Sequence, residues 1–147
     1  MRRIGLAAFL LLPWVSLSTH AAAAGPASPE ALAQTIRNGL EHRDLVLLES
    51  LFNWDGASPV KHRIVAYELR RCFGLHVQAA TAEAIGPDAV AAITQSGRFR
   101  LNMDISARVR VTFTDADGLD PLAFLAGRTA DGYRIALINP TTPTRGQ

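Results

Sequence analysis

Phe99-Arg100-Leu101-Asn102-Met103-Asp104-Ile105-Ser106-Ala107-Arg108-Val109-Arg110-Val111-Thr112-Phe113-Thr114 decides the fold class. Apolar side chains occupy the odd positions from Phe99 to Phe113, and polar ones occupy the even positions. A period of two puts alternate residues on opposite faces of a sheet, so one face is apolar and the other polar. The run is longer than one ordinary strand. It is read either as one long bent strand, or as an extended arm at Phe99–Ile105 leading into a strand at Ser106–Thr114.

Toward the N-terminus the period changes to that of helices. Ser28 before Pro29-Glu30 is a cap-then-proline start, and Leu32, Ile36 and Leu40 recur every four residues, predicting a helix from Pro29 to about His42. Gly39 weakens its end. A second helix is predicted from about Asp44 to Asn53, broken by Trp54-Asp55-Gly56. Ser58-Pro59 repeats the start signal for a third, Val60 to Phe73, whose inner face is expected to be Val60, Ile64, Tyr67, Cys72 and Phe73. Gly74 suits the residue after the helix end, where positive φ is common.

Leu75 to about Ala84 alternates again and predicts a strand, with a bulge or bend at Ala79-Ala80. Gly86-Pro87-Asp88 opens a short helix to about Gln95. Beyond the long stretch, Asp115-Ala116-Asp117-Gly118 is a turn, Leu122–Arg128 a strand, Ala130-Asp131-Gly132 a tight hairpin turn, and Tyr133–Ile138 the last strand. Asn139 to Gln147 lacks an apolar pattern and is expected to be a frayed tail. The expected fold is α+β, with three N-terminal helices covering the apolar face of a curved antiparallel sheet of about four strands.

This order of elements resembles the nuclear-transport-factor-two-like or ketosteroid-isomerase-like α+β cone, a relative of the cystatin-like roll. Leu51-Phe52-Asn53-Trp54-Asp55-Gly56-Ala57-Ser58 and Phe99–Ile105 also resemble pieces of exported bacterial members. The resemblance implies a pocket between sheet and helices that binds or transforms a small molecule. Isomerase chemistry of that kind needs a carboxylate base, with a Tyr and a protonated Asp as oxyanion donors. Neither Tyr67 nor Tyr133 matches that pattern, and Asp104 lies on the polar register of its strand.

The N-terminus reads as an export signal. Met1-Arg2-Arg3 is a short positive segment, Ile4 to Val15 an apolar run, and Ser16 to Ala24 ends in four alanines that suit signal peptidase. The apolar run is too short for a hydrocarbon core of about 30 Å and contains Pro13. The expected division is therefore a signal peptide at 1–24, a single domain at 25–139 and a flexible tail at 140–147, located in the periplasm or secreted. The full chain carries 15 basic and 13 acidic residues; Arg2 and Arg3 lie in the signal and all the acids follow it, leaving 13 of each in the mature chain. A balanced charge does not support a nucleic-acid partner, which needs an excess of cations to displace counterions, and none is expected. No membrane association is expected after cleavage.

The remaining signals are sparse. Cys72 is the only cysteine, so no intramolecular disulfide forms, and burial is the favoured reading. His42, His62 and His76 are scattered without metal-site spacing, so no metal or cofactor is expected. Arg98, Arg100, Arg108 and Arg110 would share one face if the strand were continuous; the favoured reading is a solvated face, the alternative an anion-holding cluster. Trp54 is read as the anchor of a helix–helix corner, with the alternative that it lines a pocket mouth together with Tyr67. The candidate ligand-binding residues are thus Trp54, Tyr67, His76, Arg108 and Arg110. The expected function is a non-catalytic module that binds a small apolar ligand or a periplasmic protein. The alternatives are an isomerase- or dehydratase-type enzyme and a homodimer formed through the sheet face.

Overall fold

A computed structural model describes residues 24–114 and 120–141. The predicted signal segment up to Ala23, the turn at 115–118 and the chain after Thr141 lie outside the described residues.

Three helices come first: α1 (Pro29–Glu41), α2 (Leu45–Ser50) and α3 (Pro59–Arg71). Both cap-then-proline starts form as predicted. Ser28 Oγ accepts from Ala31 N and Ser58 Oγ accepts from Lys61 N, each satisfying an otherwise free amide of the first turn. Asp44 does the same for α2 through Leu47 N. α1 buries Leu32, Ile36 and Leu40 along one stripe. Gly39 has a packing role: a Cβ there would come within 2.7 Å of the Leu48 side chain, so the glycine lets α2 approach α1. Gly74 follows α3 with φ of 93°, the left-handed turn expected at that place.

The sheet has four antiparallel strands in the order β1-β3-β4-β5, formed by β1 (Val77–Ala84), β3 (Ala107–Phe113), β4 (Leu122–Thr129) and β5 (Gly132–Ile135). Ala107, Val109 and Val111 point inward under α1, which packs mainly on β1 and β3. The fold is the expected α+β arrangement, with the three helices preceding the sheet. A fourth helix, α4 (Pro87–Thr94), lies between β1 and a short strand β2 (Phe99–Leu101). The irregularity in β1 falls between Val77 and Ala79, at Gln78, slightly before the predicted place.

Three expectations change, and one open alternative is decided. The long alternating stretch is two strands, as the reading of an extended arm leading into a strand has it. β2 pairs with β6 (Ile138–Pro140) in a separate two-stranded ribbon, while β3 joins the main sheet. Between them the chain crosses Gly127 so closely that a Cβ there would fall 1.8 Å from the Asp104 carbonyl oxygen. Alternation persists through this crossing because each segment still has an inside and an outside.

The predicted last strand is likewise divided. β5 stops at Ile135; Ala136 N still donates to Leu125 O of β4, and Leu137 leads on to β6. The first residues of the expected frayed tail are ordered: Asn139 is buried, Pro140 pairs with Phe99, and Thr141 N donates to Arg98 O. A polar, proline-containing segment can still hold an edge strand when its partner supplies the ladder.

The stripe on α3 is rotated. Val60, Ile64 and Tyr67 are 53%, 53% and 61% exposed, while Ala66, Leu69 and Cys72 are buried. Two apolar stripes run along this helix at the same spacing. With α1 already covering β1 and β3, α3 packs beside α2 and turns its smaller residues inward.

Candidate functional site

Rotating α3 in this way leaves an apolar cleft between that helix and β4. Its volume is about 240 Å³, and Ile64, Val65 and Leu69 line one wall. Leu122 and Phe124 of β4, with Ile138 of β6, form part of the other. Phe52 sits beside them, its ring meeting Phe124 edge-on at 6.1 Å between centroids. Lys61 and Glu68 are the only charged residues at the cleft among the described residues.

The helix wall is held by an aromatic stack. Trp54 lies against Phe52 at 5.1 Å and against His62 at 3.7 Å with nearly parallel rings. Its indole Nε1 donates to Glu49 O at 2.8 Å. The last turn of α2, the connecting segment and the first turn of α3 are thereby tied together. Asn102 closes the same corner by donating to Asn53 O at 2.6 Å and Asp55 O at 3.1 Å.

The five predicted site residues do not form one site. Trp54 touches Phe52, which lines the cleft, and otherwise anchors the corner between α2 and α3. Tyr67 is on the exposed side of α3, with the Arg71 guanidinium 5.9 Å from its ring centre. His76 is exposed just before β1, and its carbonyl accepts from Thr114 N. Arg108 and Arg110 do share a sheet face and a partner. Arg108 Nη1 lies 3.3 Å and Arg110 Nη2 4.0 Å from Glu83 Oε1, with Glu83 directly across from Arg108 on β1. Arg98 and Arg100 belong to the other end of the broken stretch and are not continuous with that pair.

Burial pushes the Cys72 thiol above its ordinary value; Arg71 pulls it down in part and Glu68 adds to the rise. The thiol stays protonated, 3.5 Å from the Glu68 carbonyl oxygen. A raised thiol value is the reverse of what a nucleophile needs. Among the described residues, no three His, Cys, Asp or Glu side chains are placed to hold a metal ion together, and no helix is long and apolar enough to cross a membrane.

The cleft residues Phe52, Leu69, Leu122, Phe124 and Ile138 were not legible as a site, since each reads as ordinary core. The one sequence signal was the doubled apolar stripe on α3, which leaves one stripe without an obvious partner. No family profile matches the chain, and neither does any characterised protein or solved structure.

Proposed function

We propose that this chain is the precursor of an exported protein of the periplasm or extracellular space, and that its mature part, beginning near Gly25, is a non-catalytic module binding a small apolar ligand in the cleft between α3 and β4. The observation that carries the reading is the lining of the cleft: aliphatic and aromatic side chains on its walls, with charge, among the described residues, only from Lys61 and Glu68. At about 240 Å³ it lies just under the range of sites for drug-sized ligands, which suits a short chain or a small ring. Enzymatic use of the resemblance to the ketosteroid-isomerase-like cone would need a Tyr beside an acid in the cleft. Glu68 is there without a Tyr or His among the described residues, so binding is favoured over isomerase or dehydratase chemistry.

Export is supported by the three-zone N-terminus and by the docking of the segment just after it. Gly25 N donates to Asp131 O, and Pro26 O accepts from Tyr133 N at 2.7 Å. A mature chain starting near Gly25 would keep both contacts. Expression with the native N-terminus, followed by mass measurement of the periplasmic product, is expected to find a chain shortened by about 24 residues. A full-length product retained in the cell would overturn the export reading.

For the cleft, titration with octanol followed by calorimetry is expected to show one saturable site. Ile64→Asp, at an exposed position of the wall, should abolish it while leaving the far-ultraviolet dichroism unchanged. A wild-type protein that takes up no octanol, or an Ile64→Asp protein that binds it equally well, refutes the assignment.

A further inference from the structure

Beside the cleft, at the first turn of α3, lies a second recess of about 320 Å³ lined by Gly56, Ser58, Lys61, Arg100, Asn139 and Pro140 among others. Lys61 and Ile64 border both spaces, so the apolar cleft and this recess are two ends of one surface. We propose that the combined site takes a single-chain anionic amphiphile, its chain in the cleft and its anionic head between Lys61 and Arg100; this rests on the cleft being a binding site.

Three observations support an anionic head. Lys61 and Arg100 are the only charged residues lining the recess, and neither lies within 4.0 Å of a carboxylate among the described residues, whereas Arg37, Arg71, Arg108 and Arg110 each face a glutamate. Asn139 is only 7% exposed, yet its side-chain amide has no hydrogen-bond partner among the described residues. No polar side-chain atom there is both fully enclosed and unpartnered, so the amide opens onto the recess it lines. Asn139 pairs across the ribbon with Arg100, which places both side chains on the same face. Finally, the recess lies at the positive end of a 13-residue helix, where the field favours an anion.

The chain end of the ligand accounts for Ile64. An aliphatic side chain 53% exposed between a cationic recess and an apolar cleft is left to water in the empty protein and would be covered by the first carbons after the head. Two cations are too few for a polyanion, and the balanced charge of the mature chain adds no further attraction.

Calorimetric titration of the purified protein with octanoate, octyl phosphate and octanol tests the proposal. At least one anionic probe is expected to bind about tenfold more tightly than octanol, because charge-assisted hydrogen bonds are the strong ones. The advantage should shrink as salt is raised. Comparing octanoate with octyl phosphate tells a carboxylate head from a phosphate. Lys61→Gln combined with Arg100→Gln should remove the preference; Arg100→Gln alone, at a residue that lines the recess and not the cleft, should weaken it and leave octanol binding unchanged. Equal affinity for all three probes overturns the anionic head while the cleft assignment stands. A preference that persists in the double variant, or at high salt in the wild type, overturns it as well. Loss of octanol binding in the wild type removes the cleft assignment and this proposal together.

Discussion

Asn102 and Leu137 hold each other by two hydrogen bonds: Asn102 N donates to Leu137 O at 3.1 Å, and Leu137 N donates to Asn102 Oδ1 at 2.7 Å. The amide of the same side chain reaches Asn53 O and Asp55 O. One residue, at the point where β2 ends, therefore ties the corner between α2 and α3 to the segment between β5 and β6. The tie thus joins the segments that carry Phe52, Leu137 and Ile138, all of which line the cleft.

Asn102→Ala removes three side-chain hydrogen bonds and strands a partly buried amide and carbonyl. A loss of about 2–3 kcal/mol in stability is expected by denaturant unfolding. Asn102→Asp keeps the acceptor for Leu137 N but presents a carboxylate to two carbonyl oxygens, so it should rescue little. An alanine variant with unchanged unfolding midpoint would show that the corner is held by packing alone.

Gly127→Ala should be among the most damaging small substitutions in the chain. The added methyl would meet the Asp104 backbone at 1.8 Å, and backbone cannot yield as a side-chain tip can. A cost of about 3 kcal/mol or more is expected, from displacement of the crossing segment. Thermal unfolding measures it directly.

Cys72 should resist thiol reagents in the folded protein and react once denaturant is added, since it is 2% exposed. The sign of its pH dependence follows from the raised thiol value. The folded state holds the proton more tightly, so the group contributes stability below the unfolded thiol's value and loses it as pH rises through that value toward the folded one. Cys72→Ala should cost about 1 kcal/mol at neutral pH and should lose less of its remaining stability between neutral and alkaline pH than the wild type does. Equal alkaline loss in both proteins would assign the effect to other groups.

Arg108→Ala with Arg110→Ala is expected to leave stability within about 1 kcal/mol and ligand binding unchanged. The pair shares one half-exposed glutamate at the solvent, where ion pairs contribute little. Loss of binding in this variant would move the site to the sheet face.

Much of the fold was legible. The caps at Ser28, Asp44 and Ser58, the period-two pattern of β3 and the αL glycine after α3 are local signals, each set by residues within a few positions of one another. What stayed open, or failed, was non-local. Alternation through Asn102–Ser106 says that side chains take turns facing two ways; it does not say that both ends face the same sheet. The two stripes on α3 have equal spacing, and only the space left by α1 chooses between them. Trp54 was legible as a corner residue, whereas the cleft was not, because its walls come from residues as far apart as Phe52 and Ile138.

By itself the sequence determined the class and order of elements, and it carries the three-zone N-terminus on which the export proposal rests; both depend on composition and short-range periodicity. The tertiary structure alone decided that the decisive stretch Phe99–Thr114 is divided between a ribbon and a sheet, that α3 turns Val60, Ile64 and Tyr67 outward, and that Lys61, Arg100 and Asn139 meet. Those outcomes depend on which surfaces compete for the same burial. That competition is settled by packing between residues that the sequence holds far apart.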